Sequence, residues 1–232
     1  MLKNNTLPVL YSLRNCPYAM RARIAIFYAQ QRVILRDVVL SDKPKAMLAA
    51  SPKGTVPVLV LPNNKTEEKS QVIDESLAVM LWALNENDPE DLLQRYDPNN
   101  LTAMLKLIAT FDDEFKTCLE AYKCAKRYHE NTINECRQAC EVYIQQLELR
   151  LSEHDFLMSA KPSLTDIALL PYIRQFARVE RQWYLQSPYP KLRVWLNNYL
   201  RSSMFPQVMS KHPLWNESNK TECFVGINQP KK

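Results

Sequence analysis

The order of predicted elements constrains this chain more than any other feature. Through residue 87, short β-branched and apolar runs alternate with helical stretches, whereas from about residue 99 onward every segment reads as helix. Such a change of pattern marks two domains of different class, an α/β domain followed by an all-α domain. Leu7 to Leu13 is a strand, and Pro17 to Gln30 is a helix with proline in its first turn, where a missing N–H costs little. Val33 to Leu40 is a second strand and Lys43 to Ala50 a short helix closed by Ser51-Pro52-Lys53-Gly54. Val56 to Leu61 is a third strand ending in the turn Pro62-Asn63-Asn64, and a fourth lies near Gln71 to Ile73. Glu75 to Asn87 then places Leu77, Met80, Leu81 and Leu84 on one helical face, with Asp74 as the expected N-cap.

Domain boundaries follow from this pattern: 1–87 for the α/β domain, 88–98 for a linker holding Pro89 and Pro98 among charges, and 99–232 for the helical domain. In the last of these, helices are expected at 99–128, 131–153, 164–178, 190–201 and 203–211. The stretch from Pro213 to Lys232 has no clear period and reads as a surface run. With 232 residues, 46% of them hydrophobic and 24% charged, the chain can bury two cores without disulfide or metal support.

Composition narrows the function. The polar start, Met1 to Thr6, has no apolar leader, and no later run reaches the roughly 18 apolar residues that span a bilayer, so no membrane role is expected. The Asn216-Glu217-Ser218 and Asn219-Lys220-Thr221 triplets would then not meet the glycosylation machinery. Six cysteines without a dense, even framework imply reduced thiols and a cytoplasmic location. A net charge of +5 is spread among acids rather than gathered into a stripe, which argues against a nucleic-acid partner. Cys136 and Cys140 lie one helical turn apart with His129 near the same face, but one helix face cannot supply a tetrahedral site, so no metal is expected. Cysteines 118, 124, 136 and 140 read as small hydrophobes of helix packing.

The chemistry gathers in the first domain. Cys16-Pro17-Tyr18-Ala19 follows a strand and opens a helix, where unpaired backbone N–H groups and the helix dipole favour thiolate, the reactive form. Arg14, Arg21 and Arg23 add positive charge, although a helix cannot turn all of them toward one sulfur. An inert buried cysteine fits the same four residues. Thr55-Val56-Pro57 leads into a strand, and a cis bond before Pro57 would leave the Val56 N–H and C=O to pair with an extended peptide. Asp74-Glu75-Ser76 at a helix start offers N–H groups and a hydroxyl to a carboxylate and an acid to an ammonium, and is equally readable as an ordinary capped start.

These segments together resemble the thioredoxin-like N-terminal domain of the cytosolic glutathione transferase superfamily. The resemblance rests on Leu10-Tyr11-Ser12, Cys16-Pro17-Tyr18-Ala19, Ser51-Pro52-Lys53-Gly54-Thr55-Val56-Pro57-Val58-Leu59 and Ile73-Asp74-Glu75-Ser76. It is strongest to the cysteine-type, omega-like and related bacterial enzymes. Pro162-Ser163-Leu164-Thr165-Asp166-Ile167-Ala168 is similar to the capping motif of the family's buried helix, a reciprocal Ser163–Asp166 box worth on the order of 1 kcal/mol. The resemblance implies Cys16 as nucleophile, Val56 pairing by its backbone with glutathione, and Glu75 and Ser76 holding the γ-glutamyl end. It leaves the glycyl carboxylate to Lys53, with Lys43 as a weaker candidate. Omega-like members carry a lysine three positions before that of Ser-Pro-Lys-Gly, and this chain has Ala50 there.

The implied activity is a glutathione-dependent thiol transferase or reductase, with glutathione as co-substrate, a small disulfide, electrophile or dehydroascorbate as second substrate, and a homodimer as the assembly. Ala19 stands where dithiol relatives have a second cysteine, so the chemistry is expected to be monothiol. Conjugation of glutathione to electrophiles and a non-catalytic protein-binding role are the alternatives. Phe111, Phe115 and Tyr122 recur at helical spacing on the helix that in the family borders the acceptor pocket, and ordinary core explains them as well.

Overall fold

The computed structural model describes residues 7–62, 71–216 and 223–225. The expected features at Met1 to Thr6, the turn beyond Pro62 and the triplets beyond Asn216 lie outside the described residues. The chain divides into two compact units: one runs to Pro89 and resumes at Ser203, and the other is Glu90–Ser202.

The first unit is a thioredoxin-like α/β domain. Its elements are β1 (Val9–Ser12), α1 (Pro17–Tyr28), β2 (Val33–Asp37), α2 (Lys45–Ala50), β3 (Val58–Val60), β4 (Val72–Ile73) and α3 (Ser76–Glu86). The strands line up as β4-β3-β1-β2, with β1 parallel to β2 (Leu10 beside Leu35) and antiparallel to β3 (Leu10 beside Leu59). A parallel β1–β2 pair requires a crossover, which α1 supplies. Residues on both sides of α1 are buried, from Ala19 to Ile26, so this helix lies within the core instead of on its surface.

The tail departs from expectation. The helical domain does not run to residue 232: α10 (Met204–Val208) packs on α1, and β5 (Cys223–Val225) pairs antiparallel with β2, Val33 beside Val225. The tail therefore extends the sheet instead of crossing its surface. Three residues are too few to show a period, and an unpaired β2 edge is what makes them a strand.

The second unit is all helical: α4 (Pro98–Thr110), a π-helical turn (Phe111–Phe115), α5 (Lys116–Tyr128), α6 (Ile133–Glu153), α7 (Leu164–Val179), α8 (Arg181–Gln186) and α9 (Pro190–Arg201). The Asp97 side chain caps α4 by accepting from the Asn99 N–H at 2.9 Å. Phe111, Phe115 and Tyr122 have no exposed surface, and Phe176 of α7 packs against Phe115 and Tyr122. They are core. Of the four helical cysteines Cys140 is buried but Cys124 is exposed, so helix packing does not describe all of them.

Asp166 closes the capping box of α7 and does more than cap. Its carboxylate, fully buried, accepts from the Ser163 N–H (3.0 Å) and hydroxyl (2.6 Å), from the Leu157 N–H (3.0 Å) and from the Trp195 indole (2.8 Å).

Candidate active site

Cys16 is the N-cap of α1, with Pro17 as the first helical residue, and its backbone is extended at φ −73°, ψ 126°. The turn that carries it is fixed from both sides: the Cys16 N–H donates to the Leu13 carbonyl at 3.0 Å, and its own carbonyl starts the helix by accepting from Met20 at 2.9 Å. The thiol is half-buried and lies 3.9 Å from the Val56 carbonyl. The Val56–Pro57 bond is cis. Val56 itself is 6% exposed, and among the described residues nothing accepts from its N–H. A buried, unpaired N–H beside a thiol is a place for an external acceptor, since such groups are otherwise paired.

Two of the three arginines expected to flank the sulfur, Arg21 and Arg23, are used elsewhere. Arg21 donates through Nε and Nη2 to the Ser76 hydroxyl at 3.0 and 2.8 Å. Arg23 is fully buried and holds Ser12 (2.7 Å) and Asp37 (2.7 Å), so that burial pushes its guanidinium down while Asp37 opposes the change. Both brace α1 against its neighbours.

Ser76 is the first residue of α3 and is buried. With its oxygen accepting from Arg21, the hydroxyl proton is left to donate to an acceptor. Glu75, not Asp74, is the N-cap of α3, and it caps without a side-chain hydrogen bond. Asp74 turns instead to Ser51, whose hydroxyl donates at 2.7 Å; this bond and the Lys53 ammonium hold the Asp74 carboxyl below the usual carboxylate range.

Lys53 sits on the acidic side of the site. Its ammonium contacts Glu75 at 2.6 Å and Asp74 at 3.3 Å, and these bonds raise its pKa. Lys43 takes a different position. A Cβ added to Gly54, one of two glycines in the chain and at φ +61°, would stand 3.0 Å from the Lys43 ammonium. Among the described residues no carboxylate pairs with Lys43. Sequence reasoning missed Arg21, Ser51 and Asp74 as supports, and the five-residue step from Cys16 to Arg21, about 1.4 helical turns, is the signal that Arg21 faces away from the sulfur. Among the described residues no group of three His, Cys, Asp or Glu side chains could hold a metal ion, and no helix is long and apolar enough to cross a membrane.

Comparisons with known proteins bear on the family and the fold. The family model "Glutathione S-transferase, N-terminal domain" matches residues 10–91, and "Glutathione S-transferase, C-terminal domain" matches residues 130–198. Pyrimidodiazepine synthase of Drosophila melanogaster is 27% identical over 206 residues, 87% of this chain and 79% of that protein. Glutathione S-transferase omega-1 of Mus musculus is 24% identical over 188 residues, 81% of this chain and 74% of that protein. Among solved structures, a glutathione transferase from Pseudomonas putida with one glutathione disulfide bound per subunit superposes with a TM-score of 0.75 at 16% identity, covering 90% of this chain and 93% of that one. With both halves of the fold matched in order, the chain belongs to the glutathione transferase superfamily.

Proposed function

We propose that the protein is a cysteine-type glutathione transferase that reduces disulfides through a mixed disulfide between Cys16 and glutathione. The observation that carries this reading is the Cys16 thiol 3.9 Å from the Val56 carbonyl, beside an unpaired Val56 N–H. An extended cysteinyl residue pairing with both Val56 groups would bring its own sulfur to Cys16. Ser76, with its hydroxyl polarised by Arg21, and Glu75 bind the γ-glutamyl end, its carboxylate and ammonium respectively. The exposed Lys43 is better suited to the glycyl carboxylate than Lys53, because Lys53 is already neutralised by two acids.

The reaction balances as two thiol–disulfide exchanges. The Cys16 thiolate attacks the glutathionyl sulfur of a mixed disulfide substrate; a Cys16–glutathione bond forms, the substrate S–S bond breaks, and the departing thiolate takes up a proton. A second glutathione thiolate then attacks the glutathionyl sulfur on Cys16, giving glutathione disulfide and freeing the Cys16 thiolate. The net change is reduction of one disulfide at the cost of another. The omega-class relative and the glutathione disulfide held by the Pseudomonas putida protein support this reading.

Purified protein assayed with glutathione and a small disulfide, and separately with a chlorinated aromatic electrophile, decides the class. Disulfide reduction without conjugation is expected. Dominant conjugation would replace this reading with the conventional transferase. Inactivity with no retention on immobilised glutathione would leave a binding module.

A further inference from the structure

The chain from Ser203 onward lies beyond both family matches, which end at residue 198, yet it is built into the unit that carries Cys16. Three tethers hold it. Arg23 of α1 donates to the Val208 carbonyl at 3.3 Å with the same guanidinium that grips Ser12 and Asp37. Leu214 bridges to Asp37 and the Trp215 N–H donates to the Asp37 carbonyl at 2.8 Å. β5 completes the edge of the sheet.

The side chain of Trp215 makes the second of these tethers specific. The Arg36 guanidinium lies 4.2 Å over the Trp215 ring and 5.2 Å over Tyr11, and it donates to the Tyr11 hydroxyl. Trp215 meets Tyr11 edge-on at 5.8 Å. Among the described residues no carboxylate pairs with Arg36, so the two ring faces and the Tyr11 hydroxyl are what meet its charge within the protein. Tyr11 is the residue through which this reaches the thiol. It is 2% exposed and is the β1 partner of both Arg36 on β2 and Val58 on β3. Two residues further along, the Leu13 carbonyl holds the Cys16 N–H. Trp215 and Cys16 also pack against one apolar cluster, which includes Tyr11, Val56 and Val58.

We propose that Trp215 is a positioning residue for Cys16: by clamping Arg36 onto Tyr11, the C-terminal segment fixes the end of β1 and so the turn that presents the thiol to Val56. The thioltransferase reading is needed only for the activity arm of the test. Trp215→Ala, Trp215→Phe and Arg36→Met are compared with the parent in three measurements: the rate of Cys16 labelling by iodoacetamide, read by peptide mass; kcat and KM for glutathione with a small disulfide; and the melting temperature. Trp215→Ala is expected to slow labelling and lower kcat about fivefold while KM for glutathione stays within about twofold, since misplacing a nucleophile by a fraction of an ångström has effects of this order. Trp215→Phe should recover most of the loss, because a phenyl ring still offers a face to Arg36 and an edge to Tyr11.

Labelling and kcat at parental values in Trp215→Ala, with only the melting temperature lowered, would overturn the proposal. So would a Phe variant as impaired as the Ala variant. If Trp215→Ala does not fold, Arg36→Met decides, with slower labelling supporting the clamp and unchanged labelling refuting it. Slower labelling in variants of a parent that reduces no disulfide would sink the thioltransferase reading and leave the positioning role standing.

Discussion

Replacing Asp166 with Ala removes the one acceptor that four buried donors share. As a helix cap alone, Asp166 would be worth about 1 kcal/mol. Its carboxylate, however, has no exposed surface and also takes the Leu157 N–H at 3.0 Å and the Trp195 indole at 2.8 Å, from segments outside the helix start. The Ser163 hydroxyl can turn to another acceptor, but the Ser163, Leu157 and Trp195 N–H groups cannot, and each orphaned donor costs about 1–3 kcal/mol. Because losses within one network fall short of their sum, the expected destabilisation is about 4 kcal/mol, a large share of the 5–15 kcal/mol that holds a typical protein folded. For a chain of this size that corresponds to a fall in melting temperature of about 8–16 °C. Asp166→Asn keeps an oxygen for Leu157 and Trp195 but sets an amide against the Ser163 N–H, and should lose about half as much. Urea unfolding followed by circular dichroism measures both. A loss of only about 1 kcal/mol in Asp166→Ala would show that the cap is all the residue does and would refute the four-donor reasoning.

Three further predictions follow from the first unit. Lys43→Ala should raise KM for glutathione about tenfold and Lys53→Ala less than threefold, since only the former removes a cation not already paired with acids; the reverse order in steady-state kinetics would return the glycyl carboxylate to Lys53. Burial, and the positive charge of Arg23 nearby, hold His212 below the usual histidine range. With its folded value below an unfolded value of about 6.5, its contribution to stability is complete above about pH 7 and is lost as pH falls from there through the lower folded value. The melting temperature of the parent should therefore drop more steeply on acidification than that of His212→Gln, and parallel profiles would contradict this. Cys16→Ser should lose disulfide reduction while still binding to immobilised glutathione, because Val56, Glu75 and Ser76 are unchanged; full activity in the variant would place the nucleophile elsewhere.

The strands and helices of the first 87 residues were legible because Pro17, Pro57, Gly54 and the helical spacing of Leu77 to Leu84 each act locally. What the sequence hid depends on partners far along the chain. Lys53 meets Glu75 across 22 residues and Arg21 meets Ser76 across 55, so neither pairing has a local signature. Asp74 looked like a cap by residue type, yet Ser51 competes for its carboxylate and the backbone start falls at Glu75. The tail was the largest misreading. Leu214 and Trp215 have no period of their own, and the helix over 203–211, though expected, carries no sign of where Val208 docks; the places of all three are set by Arg23, Asp37 and Arg36. Capping of α7 was legible as a box, but the share of Trp195 in it was not, for that residue lies 29 positions away.

In the proposed cycle Cys16 works alone, with glutathione and not a second protein thiol completing it. Cysteines 118, 124, 136 and 140 belong to helices of the second unit, and Cys223 lies on β5, beside Leu35 of β2. Treating the native protein with glutathione disulfide and mapping its peptides by mass under non-reducing conditions tests this most directly. One glutathione on Cys16, stable until external thiol is added, is the expected result. An intramolecular disulfide joining Cys16 to any other cysteine, or an adduct confined to a different cysteine, would contradict it.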